Sequence, residues 1–185
     1  MNLVLIGYRG TGKSTVAGLL AEQLEMEVVS LDREIVRQAG RSVADIVAER
    51  GWPHFRDLES EVTKRICERD RIIIDAGGGV ILRPENVRHL RRRGTLFWLR
   101  ASVPVIVARI ESGTDRPALT PGRSFTEEVQ DVLRERTPLY RSAADYHVDT
   151  DARSPGEVAA EVARLYAEAA SAAPAETREK EPEAD

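Results

Sequence analysis

Cysteine is nearly missing from this chain: Cys67 is the single thiol in 185 residues. One thiol excludes an internal disulfide, and no histidine or cysteine cluster surrounds it that could hold a metal. Its helical, apolar setting reads as a buried core thiol rather than a nucleophile. Histidine is scarce as well. His54, His89 and His147 are scattered and suggest neither a metal site nor a catalytic triad. Nothing approaches the roughly 18 consecutive apolar residues of a membrane span, so no membrane partner is expected. The N-terminus enters an apolar strand pattern directly, with no basic stretch and cleavable apolar segment before it. A cytoplasmic location is therefore expected. An excess of basic charge is lacking too. A formal net charge of -4 argues against nucleic acid as the main partner. What remains, 42% hydrophobic and 31% charged residues, suits one soluble globular domain.

Against that background stands Gly7-Tyr8-Arg9-Gly10-Thr11-Gly12-Lys13-Ser14-Thr15. It fits G-x-x-x-x-G-K-[ST], with the apolar run Leu3–Ile6 before it and a helical pattern after it. Glycines let the backbone curl until successive N–H groups face phosphate oxygens. The helix that follows adds its positive end. Lys13 can reach the β- and γ-phosphates, and the Ser14 hydroxyl can ligate Mg²⁺. The chain is expected to bind a nucleoside triphosphate.

Apolar strand runs alternate with helical periods along the rest of the sequence. Strands are expected at Leu3–Ile6, Glu27–Leu31, Arg71–Asp75, Thr95–Leu99 and Tyr146–Asp149. The alternation predicts an α/β fold: a three-layer αβα sandwich on a five-stranded parallel sheet. Ligands on such sheets bind beyond the carboxyl ends of the strands. Gly7, Asp32, Gly77 and the region after Leu99 should therefore share one crevice. Residues 112–124 are rich in Gly, Pro, Thr and Arg and lack an apolar period. They read either as a surface loop or as a mobile lid that excludes water and brings Arg116 or Arg123 to the phosphates. The folded domain is expected over 1–168, with a disordered tail over 169–185.

Several residues near these strand ends carry two readings. Asp32 is either the N-cap of a helix or a carboxylate that takes a proton from an attacking hydroxyl. Arg56 is either a surface arginine or a two-pronged carboxylate holder that Glu59 orients from one turn on. Asp75 either bonds nearby backbone or serves Mg²⁺ at the end of its apolar strand. Gly77, Gly78 and Gly79 exceed what a tight turn needs, which points to close approach of backbone and ligand. Arg136 either favours a helix end electrostatically or binds an anion.

In order and spacing these pieces resemble the shikimate kinase family. The supporting stretches are GYRGTGKST at 7–15, LD at 31–32, AGRS at 39–42, FRDLE at 55–59 and AGGGV at 76–80. DRPAL at 115–119, RTPLY at 136–140 and VDT at 148–150 complete them. The resemblance runs from Met1 to about Leu165 and implies a P-loop kinase fold like that of nucleoside monophosphate kinases. The implied reaction moves the ATP γ-phosphate to the 3-hydroxyl of shikimate, on the route to chorismate and aromatic amino acids. Gly10, Thr11, Gly12, Lys13, Ser14 and Thr15 would bind the ATP phosphates, with Ser14 on Mg²⁺. Asp32 would receive the hydroxyl proton, and Arg56 and Arg136 would hold the shikimate carboxylate. Gly78 would meet the substrate through its backbone. Arg116 would reach the phosphates from the lid, and Arg109 and Arg153 would flank the adenine. A monomer is typical of the family.

One departure stands out. The family usually carries Asp-x-Asp after the second strand, and this chain has Ser30-Leu31-Asp32. Asp75 is the candidate to supply the missing charge around Mg²⁺. A gluconate kinase of similar build, or a P-loop module that binds ATP without a small substrate, are the competing readings. Asp32 and the paired arginines favour catalysis over the latter.

Overall fold

The computed structural model describes residues 1–111 and 125–172. β1 (Asn2–Ile6) leads through the glycine loop into α1 (Lys13–Leu24), β2 (Glu27–Ser30), α2 (Leu31–Ala39) and α3 (Val43–Ile66). β3 (Ile72–Asp75), a 3₁₀ turn (Val80–Leu82), α4 (Pro84–Arg93) and β4 (Gly94–Arg100) follow. α5 (Val103–Glu111) closes the first described segment; α6 (Phe125–Ala143), β5 (Tyr146–Asp149) and α7 (Pro155–Ala172) form the second. The strands build one sheet in the order β2-β3-β1-β4-β5, and every neighbouring pair is parallel. This is the expected three-layer fold.

The central strands are apolar at almost every position because both of their faces are covered. Alternate residues serve opposite cores. Val4, Ile6, Ile72, Ile74, Leu96 and Trp98 pack with residues of α2, α3, α4 and α6. Leu3, Leu5, Ile73, Phe97 and Leu99 pack with α1 and α7. β1 lies between β3 and β4, so the loop leaving it opens where the strand order reverses, the place such sheets bind ligands.

Local sequence sets the element ends. Ser42 caps α3 by accepting the Asp45 N–H at 3.1 Å. Within α3, Gly51 takes φ 76° and breaks the helical path, so two helical stretches meet there at an angle. The N-cap of α2 is Ser30, whose hydroxyl accepts from the Arg33 N–H. Asp32 sits inside the first turn, which removes the capping reading of that residue. α7 runs on to Ala172, past the expected tail start at residue 169. Its alanines extend the helix because nothing in them interrupts it. Cys67 caps the end of α3, and burial pushes its thiol up to about 12, which makes it inert at neutral pH.

Candidate functional site

The phosphate loop is shaped by its own carbonyls. Gly12 takes φ 88° as the N-cap of α1, a conformation in which a side chain is strained, and no side chain caps this helix end. The first amides of α1 are thus presented to the crevice. The Tyr8 carbonyl gathers three donors: Thr11 N–H at 3.4 Å, Thr11 Oγ1 at 2.8 Å and Lys13 Nζ at 3.1 Å. Thr11 is buried, and both its N–H and its hydroxyl serve the loop itself. Ser14 donates its hydroxyl to Asp75 Oδ2 at 2.6 Å. Strand alternation explains that contact. Asp75 lies two residues beyond Ile73, on the sheet face that α1 covers. Burial pushes the Asp75 carboxyl above its usual range, and Lys13 and the Ser14 hydroxyl pull it back.

Beside the loop lies a cavity of about 720 Å³. Asp32, Arg56, Glu59, Gly77, Gly78, Gly79 and Arg136 all line it, joined by Arg9, Trp52 and Phe55. Arg56 Nη1 donates to Glu59 Oε2 at 2.6 Å, one turn along α3. Its guanidinium also rests on the rings of Trp52 and Phe55, 5.2 and 5.1 Å from their centroids. From the opposite side, α6 sends Arg136 Nη1 to the Gly78 carbonyl at 3.0 Å and Tyr140 Oη to the same oxygen at 2.5 Å. Burial raises the Tyr140 hydroxyl, so it stays a donor. Glu59 is 1% exposed, and burial pushes its carboxyl up against the pull of Arg56.

None of Gly77, Gly78 and Gly79 has a positive φ. At Gly77 and Gly79 other groups occupy the Cβ space, whereas a Cβ on Gly78 would make only ordinary contacts. A Cβ on Gly77 would stand 2.8 Å from Asp32 Oδ1 and 3.2 Å from Glu59 Oε1. One on Gly79 would run into the Arg56 guanidinium. The turn is bare so that three functional side chains can crowd onto it.

Arg109 donates to the Gly10 carbonyl at 3.3 Å and to Thr150 Oγ1 and O at 2.9 Å each. Arg153 bonds the Asp149 carbonyl at 3.3 Å and turns back to Glu161 and the Glu157 carbonyl of α7. Both arginines therefore stand at the end of β5, and Arg109 alone of the two contacts the loop. Arg116, Arg123 and the whole 112–124 segment lie outside the described residues. Tyr140, Trp52 and the half-buried Arg9–Glu128 ion pair at 3.1 Å were not anticipated. Tyr140 follows Arg136 by four residues and Trp52 precedes Arg56 by four, so each shares its arginine's helix face. That spacing was the available signal. Arg9 and Glu128 offer none, being 119 residues apart.

The sheet order, the phosphate loop and an arginine-lined acceptor cavity at its side define a P-loop small-molecule kinase, an ATP-dependent phosphotransferase. The family model described as Shikimate kinase matches residues 9–167. A shikimate kinase of Thermodesulfovibrio yellowstonii is 39% identical over 165 residues, covering 89% of this chain and 94% of that one. One from Nitratidesulfovibrio vulgaris is 43% identical over 151 residues, covering 80% and 86%. The solved structure of shikimate kinase from Acinetobacter baumannii in complex with shikimate superposes with a TM-score of 0.85 at 30% identity, covering 91% of this chain and 93% of that one. The chain belongs to the shikimate kinase family.

Proposed function

We propose that this protein transfers the γ-phosphate of ATP to the 3-hydroxyl of shikimate, giving shikimate 3-phosphate and ADP, on the route to chorismate and the aromatic amino acids. One observation carries the reading: Arg56 of α3 and Arg136 of α6 line one cavity, and Asp32 lines it too, beside Tyr8 and Arg9 of the phosphate loop. A small ring acid with several hydroxyls suits that arrangement. Two guanidiniums fix its carboxylate, which turns one hydroxyl toward Asp32. In the reaction that hydroxyl oxygen bonds to the γ-phosphorus, its proton passes to the Asp32 carboxylate, and the bond to the ADP oxygen breaks. Because the Gly78 carbonyl already accepts from Arg136 and Tyr140, its N–H is the group offered to substrate.

The loop residues from Gly10 to Thr15, Lys13 among them, cradle the phosphates. Arg109 and Arg153 stand on the adenine side, and Arg116 is assigned to the transferring phosphoryl group. The donor set fits Mg²⁺: a Ser14 hydroxyl and an Asp75 carboxylate are hard oxygens, and this ion takes few protein ligands beside phosphates and water. When bound, Mg²⁺ neutralises charge on the phosphates. A monomer acting in the cytoplasm completes the proposal. The test is ADP release measured with shikimate, with gluconate and with no acceptor. Release that depends on shikimate supports the assignment. Equal release in all three arms rejects it, and release with gluconate alone reassigns the acceptor.

A further inference from the structure

We propose that Asp75 on β3 is the carboxylate that steadies the metal's water shell in this chain, and that positions 30 and 75 are interchangeable seats for that charge. The inference rests on the ATP·Mg²⁺ reading of the loop. Ser30 and Asp75 are Cα partners in the parallel β2–β3 register. Neighbouring strands lie about 4.8 Å apart, and paired residues point to the same face. Here that face is the one covered by α1, whose Ser14 hydroxyl meets Asp75 at 2.6 Å. A carboxylate at position 30 would emerge beside this spot. The chain has instead a neutral serine there, and its hydroxyl is used to cap α2. Two adjacent buried carboxylates would repel one another, and the chain carries one. Among the described residues no group of three His, Cys, Asp or Glu side chains could cage a metal. In this reading the ion is held by Ser14, phosphate oxygens and water, with Asp75 as acceptor for that water. A side chain that orients metal ligands in this way affects affinity by about 10- to 100-fold.

Mn²⁺ is the probe, with its binding to the protein–ADP complex followed by electron paramagnetic resonance. Asp75→Asn keeps the shape of the side chain. It should weaken Mn²⁺ binding about tenfold and leave metal-free ADP binding within about twofold. Ser30→Asp combined with Asp75→Ser should recover Mn²⁺ affinity to within about threefold of the parent, while Asp75→Ser alone does not. Circular dichroism checks the fold of each variant. Parent-like Mn²⁺ affinity in Asp75→Asn overturns the assignment, as does a double variant no better than Asp75→Ser. A parent protein whose ADP binding ignores the metal removes the nucleotide reading and this one with it. Mn²⁺ results as expected, without shikimate-dependent ADP release, would support this assignment and reject only the acceptor.

Discussion

Gly79 has no side chain because the Arg56 guanidinium stands where one would be. The obstacle is the far end of a flexible side chain, so Gly79→Ala should move Arg56 rather than unfold the chain. The expected outcome is a shikimate KM raised about tenfold, the loss of roughly one charge-assisted hydrogen bond, with the ATP KM nearly unchanged. Steady-state kinetics with each substrate varied in turn checks this. Glu59 supplies a second test at this scale. Its carboxyl is held above the ordinary glutamate range by burial. Between the unfolded and the raised folded value the native state binds more protons than the unfolded state, so stability from this group falls as pH rises. Glu59→Gln lacks that slope. Thermal melts of the two proteins from about pH 4 to 7 should therefore shift in favour of the variant as pH rises. A constant difference across the range would contradict the raised carboxyl.

Elements were the most legible level of the sequence. Apolar runs announced the central strands, 3.6-residue periods announced the helices, and both follow from which faces are buried. The same reasoning placed Gly7, Asp32 and Gly77 at the carboxyl ends of the strands, in one crevice. It did not reach contacts between residues far apart in the chain. Ser14 and Asp75 are 61 residues apart, and Arg136 and Gly78 are 58 apart. Such pairs depend on side-chain direction after folding, which no local pattern encodes. Asn2 is a comparable case between elements. It is buried, donates to the Arg69 carbonyl at 2.9 Å and accepts from the Ile72 N–H at 3.2 Å. It thereby ties the start of β1 to the turn entering β3. Asn2→Ala leaves both backbone groups without their partner and should cost about 2 kcal/mol, read from urea unfolding, with both KM values unchanged.

For the whole molecule, nucleotide and fold are thermodynamically linked. ADP with Mg²⁺ at about 100 times its Kd should stabilise the native state by about 2.7 kcal/mol. For a chain of this size that raises the melting midpoint by roughly 5–10 °C, which scanning calorimetry resolves. A midpoint indifferent to ADP·Mg²⁺ would contradict the nucleotide site. The glycine loop is also tied outward, from Gly10 to Arg109 of α5 and from Arg9 to Glu128 of α6. Those two helices flank the 112–124 segment on either side. The glycine loop thus has anchors outside itself, one on each of the two helices. A substitution at Arg109 or Glu128 would therefore remove a tie to Gly10 or Arg9 while every letter of the glycine motif is left untouched.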